Sequence, residues 1–325
     1  MRALVSGASG MVGANLCLRL LAEGIAVRAL VRRPLDHPLL ADADVESAVG
    51  DISQRDTLRS ATRGCQVVFH VAGMISYRDR DRRQLFEINA AAPRRIVEAA
   101  AAAGVERVVL TSSTAAVGIC RPGEQPLDEA AEFRRGYQAN PYMASKRAGE
   151  DDVLTFPDAD VVAVNPATIL GGGDIKANTG VVFQRLAAGK LNWIPPGGTA
   201  LVSVSDVVAG HLLAWRNGAA GRRYILATAN HSFAEMFGEI ARQLGVAGPR
   251  RRLPSWLYSP AYAALRVNDA CGGPLGVSRH VLTIAFRNRY FAADRARREL
   301  AWQPRQDLPA MVGEAIDFYR QHGLL

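Results

Sequence analysis

A chain of 325 residues with 49% apolar and 22% charged side chains can bury a large core, which excludes a disordered or fibrous polymer and leaves one large α/β unit or two lobes. Its net charge of +8 comes from scattered basic residues. The densest runs, at 78–83, 250–252 and 295–298, have no interleaved aromatics, so nucleic acid is not an expected partner. No apolar run is long enough for a membrane span, and Gly7 and Gly10 interrupt any secretory leader. Cys17, Cys65, Cys120 and Cys271 have no pairing or ligand spacing, which suits buried or half-buried thiols in a reducing cytoplasm.

Through residue 165, β-branched runs alternate with helical stretches. Strands are expected at 3–6, 27–31, 45–49, 67–71, 107–111 and 161–165, and helices at 12–22, 57–62, 84–103 and 142–155. This alternation predicts an α/β fold, a Rossmann-type doubly wound parallel sheet that binds ligands at the carboxyl ends of its strands. After Pro166, glycine and proline runs at 171–173 and 195–198 mark loops. Segments 202–204, 206–215 and 224–227 read as elements returning to the first lobe. Ser232 with Glu235 predicts a capped helix over 232–244, and 309–321 a closing amphipathic helix. The expected division is a dinucleotide-binding domain over 1–165, with returning elements at about 200–228, and a smaller C-terminal substrate-binding lobe from 166–199 and 229–325. The apolar stretch 254–265 reads first as a packed lid helix, with a lipophilic pocket wall or a membrane-facing surface as alternatives.

The first strand runs into Gly7-Ala8-Ser9-Gly10-Met11-Val12-Gly13. Gly7 can supply the turn, Gly10 lets backbone approach a diphosphate, and Gly13 lets helix and sheet pack closely. The helix N-terminus then offers N–H groups to the phosphates, so Gly7, Ser9, Gly10, Met11, Val12 and Gly13 are expected at the cofactor. Where an NAD-preferring fold places an acid, the second strand ends in Arg32-Arg33. A guanidinium can pair with a 2′-phosphate that an acid would repel, which favours NADP(H) and leaves NAD(H) as the alternative. Asp51, followed by Ile52, is placed to accept from the adenine amino group.

These features, with His70-Val71-Ala72-Gly73, Asn89, Thr111-Ser112-Ser113 and Tyr142-x-x-x-Lys146, resemble the extended short-chain dehydrogenase/reductases. The resemblance runs through the whole chain. Within that superfamily, 173–176 and 224–226 look most like dihydroflavonol-reductase-like and hopanoid-associated sugar epimerase-like proteins. It implies that Val71, Ala72, Gly73, Thr111, Ser112, Asn165, Pro166 and Thr168 line the cofactor with Tyr142 and Lys146, that Asn89 organises the site, and that the protein is a homodimer.

The reacting end can also be read from chemistry. Lys146 is one of three lysines in an arginine-rich chain, the others being Lys176 and Lys190. One helical turn from Tyr142, a compact ammonium favours the phenolate of a residue whose ordinary pKa near 10 makes it a poor base. Ser113, past the end of a strand, can polarise a carbonyl oxygen; Ser112 is the competing choice. Tyr142 is thus the expected general acid/base, Lys146 its partner and Ser113 the oxygen donor. The reaction expected is hydride transfer between a nicotinamide and a ketone, aldehyde or secondary alcohol, a small-molecule substrate that could be lipophilic. Alternatives are a sugar epimerase with a recycled cofactor and a non-catalytic dinucleotide sensor. Thr114-Ala115 stand where 4,6-dehydratases carry Asp-Glu, and Val117 where many nucleotide-sugar epimerases carry Tyr, which weakens both sugar readings. The six histidines, at 37, 70, 211, 231, 280 and 322, show no metal spacing.

Overall fold

The computed structural model describes residues 1–271 and 277–325. Strands β1 (Arg2–Ser6), β2 (Ala26–Val31), β3 (Val45–Val49), β4 (Val67–His70), β5 (Arg107–Thr111) and β6 (Val161–Pro166) lie in one parallel sheet, joined at its edge by Arg223–Leu226. The spatial order is Arg223–Leu226, β6, β5, β4, β1, β2, β3. Successive side chains alternate between its faces. Ala3, Val5, Phe69 and Val109 pack into one apolar cluster, while Leu4, Val68, Val108 and Leu110 pack into another. Both faces are therefore covered, and the near-continuous apolar strands follow from that. Strand order reverses between β1 and β4, which opens a crevice at their carboxyl ends.

Helices α1 (Met11–Ala22), α2 (Arg55–Thr62), α3 (Arg82–Phe86), α4 (Ala92–Ala102) and α5 (Pro141–Leu154) supply the covering layers. Leu16 and Leu20 of α1 enter the first cluster; Leu58 of α2 and Ile96 of α4 enter the second. The single helix expected over 84–103 is divided. Residues Glu87–Ala91 form a widened π turn between α3 and α4. Pro93 has no N–H to give the Asn89 carbonyl, so the regular ladder cannot pass this point.

At this turn α5 comes unusually close. A Cβ on Gly149 would collide with the Asn89 carbonyl oxygen and lie 2.9 Å from the Ala90 Cα. Gly149→Ala is therefore expected to push α5 off the turn and cost about 3 kcal/mol of stability. Urea unfolding would read this as a lower midpoint at unchanged slope. Stability within a few tenths of a kcal/mol of wild type would refute the close packing.

The returning segment behaves differently from the sequence expectation. Arg223–Leu226 joins the large sheet, and α7 (Val204–Asn217), which follows α6 (Gly180–Ala187), packs against it. The strand Gly198–Ser203, covering much of the expected 202–204 element, belongs instead to a second sheet. There it pairs with Thr168–Leu170, Ala229–Ser232 and Asn288–Arg289. Its residues are buried throughout, so it needs partners on both edges, which the large sheet cannot provide. Around it, Phe183 and Leu186 of α6 and Phe237 and Ile240 of α8 (Phe233–Leu244) build a third apolar cluster with the closing helix Leu308–Gln321. The predicted cap of α8 is present: Ser232 and Glu235 satisfy one another's backbone N–H groups. The stretch expected at 254–265 forms a short turn over Ser255–Leu257 and then α9 (Tyr258–Ala270), which packs against α10 (Arg279–Phe286).

Candidate active site

The residues singled out in the sequence lie mostly just beyond the carboxyl ends of β1 to β6. Gly7 takes φ +79°, and a Cβ there would sit 2.7 Å from the Ala72 backbone nitrogen. At Gly13 it would collide with the Gly7 carbonyl oxygen. Val71 and Ala72 are tied to this loop, their N–H groups donating to the Ser6 carbonyl and Ser6 Oγ at 3.2 Å each. Helix α1 opens at Met11 behind an extended Gly10 with no side-chain cap. Its first-turn N–H groups therefore remain available to an anion, and this bare cradle fits the diphosphate of a dinucleotide. Ser9 is exposed at the rim of the loop and Val12 begins the buried face of α1.

Arg32 and Arg33 are exposed after β2. Asp51 follows the neighbouring β3, where its Oδ1 accepts from Ser53 N at 2.8 Å. That hydrogen bond, with Ser53 Oγ and the nearby Arg32, holds the Asp51 carboxyl below the ordinary range. Ile52 packs toward the second apolar cluster. These residues follow β2 and β3, the strands on the β1 side of the point where strand order reverses.

Helix α5 carries Tyr142 and Lys146, the candidate reacting groups. Asn140 caps it, its Oδ1 accepting from the N–H groups of Tyr142 and Met143 at 3.1 and 3.2 Å. Pro141, as the first helical residue, lacks an N–H where none is needed. Tyr142 is 7% exposed and packs edge-on against Tyr77 with ring centroids 5.6 Å apart. Burial pushes its phenol well above the usual tyrosine range, and Tyr77 adds to this. The Ser113 hydroxyl and Arg289 oppose it. Ser113 also accepts from Ala115 N at 3.1 Å, which leaves its own proton free to donate. Ser112 is buried on the inner side, beside Glu150. Of the two serines, Ser113 stands with Tyr142.

Lys146 Nζ, one turn from Tyr142, donates to the Thr111 carbonyl at 3.0 Å, and a Cβ on Gly73 would lie 3.1 Å from it. Among the described residues one of its three donors is thus used. Burial pulls its ammonium down to about 8, against the opposing field of Glu150. The Thr111 hydroxyl pairs with His211 Nε2 at 2.7 Å. Asn89, in the π turn, receives Met74 N and donates to Met74 O, both at 2.9 Å, and donates to Ser145 Oγ at 3.1 Å. It fastens the Gly73 loop to α5.

Two features add to the sequence expectation and one departs from it. Asn165 Nδ2 donates to the Ser113 carbonyl at 3.0 Å and to Glu150 Oε2 at 2.5 Å, so its side chain tethers the active-site strands. Pro166 ends β6 beside it, buried. Thr168 stands in the second sheet, with its hydroxyl 2.8 Å from that of Thr199. Cys271 is exposed, unlike the other three cysteines; burial pushes the Cys17 thiol up to about 12.

Two residues not anticipated complete the site. Glu150 lies one turn beyond Lys146 and is fully buried, its Oε1 2.9 Å from Arg223 Nε. Burial raises its carboxyl, with Arg223 the largest opposing influence. Tyr142, Lys146 and Glu150 thus recur at four-residue spacing on one face of α5. Arg289, in the second sheet, acts on both Tyr77 and Tyr142, and its Nε is buried without a hydrogen-bond partner among the described residues. A buried donor nitrogen beside Tyr142 that has no hydrogen-bond partner among the described residues suits an oxygen of a bound substrate.

The seven-stranded parallel sheet, the glycine cradle and the Ser–Tyr–Lys cluster define a dinucleotide-dependent enzyme of the extended short-chain dehydrogenase/reductase class. The chain belongs to the NAD dependent epimerase/dehydratase family, whose model matches residues 3–227. It is 34% identical, over 98% of its length and 94% of the relative's, to a Synechocystis protein named "Putative dihydroflavonol 4-reductase". It is 31% identical, over the full length of both, to "Sterol demethylase protein B" of Methylococcus capsulatus. The crystal structure of gox2253 superposes with a TM-score of 0.88 at 33% identity, covering 99% of each chain.

Proposed function

We propose that the protein is an NADP(H)-dependent oxidoreductase that interconverts a ketone or aldehyde with its alcohol on a predominantly apolar substrate. The observation that carries this reading is the convergence of Tyr142, Ser113 and Lys146 at one sheet edge, next to a loop bare enough for a dinucleotide. When bound, the nicotinamide supplies or accepts the hydride. Ser113 donates to the substrate oxygen. Tyr142 gives that oxygen its proton in reduction and takes it back in oxidation. The Lys146 ammonium favours the phenolate and offers donors to the cofactor ribose. Asn89 keeps the Gly73 loop against α5, and Glu150 holds positive charge on Lys146. The apolar substrate is supported by the sterol-linked name of the Methylococcus relative. Thr114-Ala115 and Val117 support redox over dehydration or nucleotide-sugar chemistry.

The test is a panel of hydrophobic ketones, aldehydes and alcohols, with NADPH and NADH absorbance followed in parallel. Net oxidation of NADPH with matching alcohol formation is expected. Conversion of a substrate into its epimer with no cofactor consumed would replace this reading with the epimerase one. Arg32→Glu is expected to raise KM for NADPH about 10–100-fold, because it exchanges a charge-assisted phosphate contact for repulsion, while NADH changes little. Equal effects on both cofactors would remove Arg32 from the 2′-phosphate.

A further inference from the structure

The 29 residues 240–268 contain no acid. Within them, three consecutive arginines, Arg250 to Arg252, lie exposed on the surface of the small sheet side of the molecule. None of Arg250, Arg251, Arg252 and Arg266 forms an ion pair with a described residue. Such a run lacks the mixed signs of an ordinary solvated face. Beside it stand two exposed tryptophans, Trp256 at 71% and Trp193 at 45%. Arg251 pairs with Trp193 through backbone and lies over its indole at 5.5 Å. Helix α9 continues the surface with Ala263, Ala264 and Val267, the last 65% exposed.

Arginine and tryptophan side chains share a preference for the layer between water and lipid, where an apolar body is buried while a polar tip stays wet. Unpaired arginines add attraction to a negatively charged surface. Among the described residues no helix is long and apolar enough to cross a membrane, so attachment would be peripheral.

This surface is joined to the reacting site. Tyr258 of α9 packs on Phe286 of α10 and lies 3.2 Å from the Thr283 hydroxyl. At the start of α10, Arg279 bridges Asp269 of α9 and Asp79 at 2.7 and 2.6 Å, and His280 holds Asp79 at 3.0 Å. Two residues before Asp79 is Tyr77, against the Tyr142 ring. A run of contacts through α9, α10, Asp79 and Tyr77 thus links the basic aromatic surface to the proposed proton donor.

We propose that residues 250–267 form a docking surface for an anionic membrane, from which the enzyme takes its apolar substrate. That the membrane supplies the substrate rests on the redox reading, whereas the docking itself does not, so either can fail while the other stands. The experiment is flotation of the full chain with vesicles of phosphatidylcholine alone or with about 30% phosphatidylglycerol. Binding to the anionic vesicles, reversed by raising salt to about 0.5 M, is expected. The triple variant Arg250→Ser, Arg251→Ser, Arg252→Ser should lower the partition coefficient about 100-fold. Trp256→Ser should lower it about tenfold and reduce the blue shift of tryptophan emission on binding, leaving the part contributed by Trp193. Circular dichroism and NADPH binding, unchanged in both variants, show that the fold is kept. The proposal is overturned if wild type fails to float, if it binds both vesicle types equally, or if the variants float as well as wild type.

Discussion

Tyr142→Phe is expected to lower turnover by about 10³-fold while cofactor affinity stays within about twofold of wild type. The substitution removes one oxygen and leaves the ring, so the edge contact with Tyr77 and the apolar packing persist. The glycine loop and Lys146, which would carry most of the cofactor's contacts, are untouched. What is lost is the proton at the substrate oxygen, an interaction made only as the reaction proceeds. It should therefore appear in kcat rather than in binding. The direction of the pH dependence follows from burial. Because the phenol is held above the usual tyrosine range, it is protonated at neutral pH, which is the form reduction requires. Reduction should accordingly be steady near neutrality and fall in alkali, and oxidation, which needs the phenolate, should rise with pH. Fluorescence titration with NADPH beside stopped-flow absorbance would separate the two quantities. Turnover near the wild-type rate would remove Tyr142 from the chemistry; an equal loss of cofactor affinity would make its role structural.

Much of this site was legible in the sequence because its demands are local. A strand followed by glycines at Gly7, Gly10 and Gly13 leaves few backbone alternatives, and a lysine one turn after a tyrosine shares its helix face wherever the helix packs. Glu150 was not legible. It opens the run Glu150-Asp151-Asp152, which reads as an exposed acidic patch. Only the seating of α5 against β6 puts the first acid inside, against Asn165 and Arg223, and leaves Asp152 outside with Arg94. Arg289 lies in a two-residue strand too short to give a period, and it reaches Tyr142 from far along the chain through the second sheet. Gly198–Ser203 has the same apolar texture as the strands of the large sheet; which sheet it enters depends on partners distant in sequence. The π turn at Glu87–Ala91 could have been suspected from Pro93, since a proline inside a long helical pattern removes one rung of its ladder.

Lys146→Met should lower turnover about 10²–10³-fold and yet make the cofactor-free protein slightly more stable. The two effects share one cause. Burial brings the ammonium from its ordinary 10.5 to about 8, so below about pH 8 the fold carries a buried charge. That difference corresponds to about 3 kcal/mol against the native state. Between about 8 and 10.5 the unfolded chain holds a proton that the folded chain has released, so native stability rises with pH across that window and levels above it. Methionine keeps the apolar stem and removes the charge. Against this stands the loss of the hydrogen bond to the Thr111 carbonyl, worth about 1 kcal/mol, and the loss of a positive neighbour for Glu150. A net gain of about 1 kcal/mol at neutral pH is expected, together with loss of the alkaline rise in stability. The activity loss would follow from a phenolate with no adjacent cation and a ribose with no lysine donor. Urea titrations of both proteins at pH 7 and pH 9.5 would decide. A variant less stable than wild type at pH 7 that keeps the alkaline rise would show that Lys146 is seated without electrostatic cost, and that its charge is not what the site conserves for catalysis.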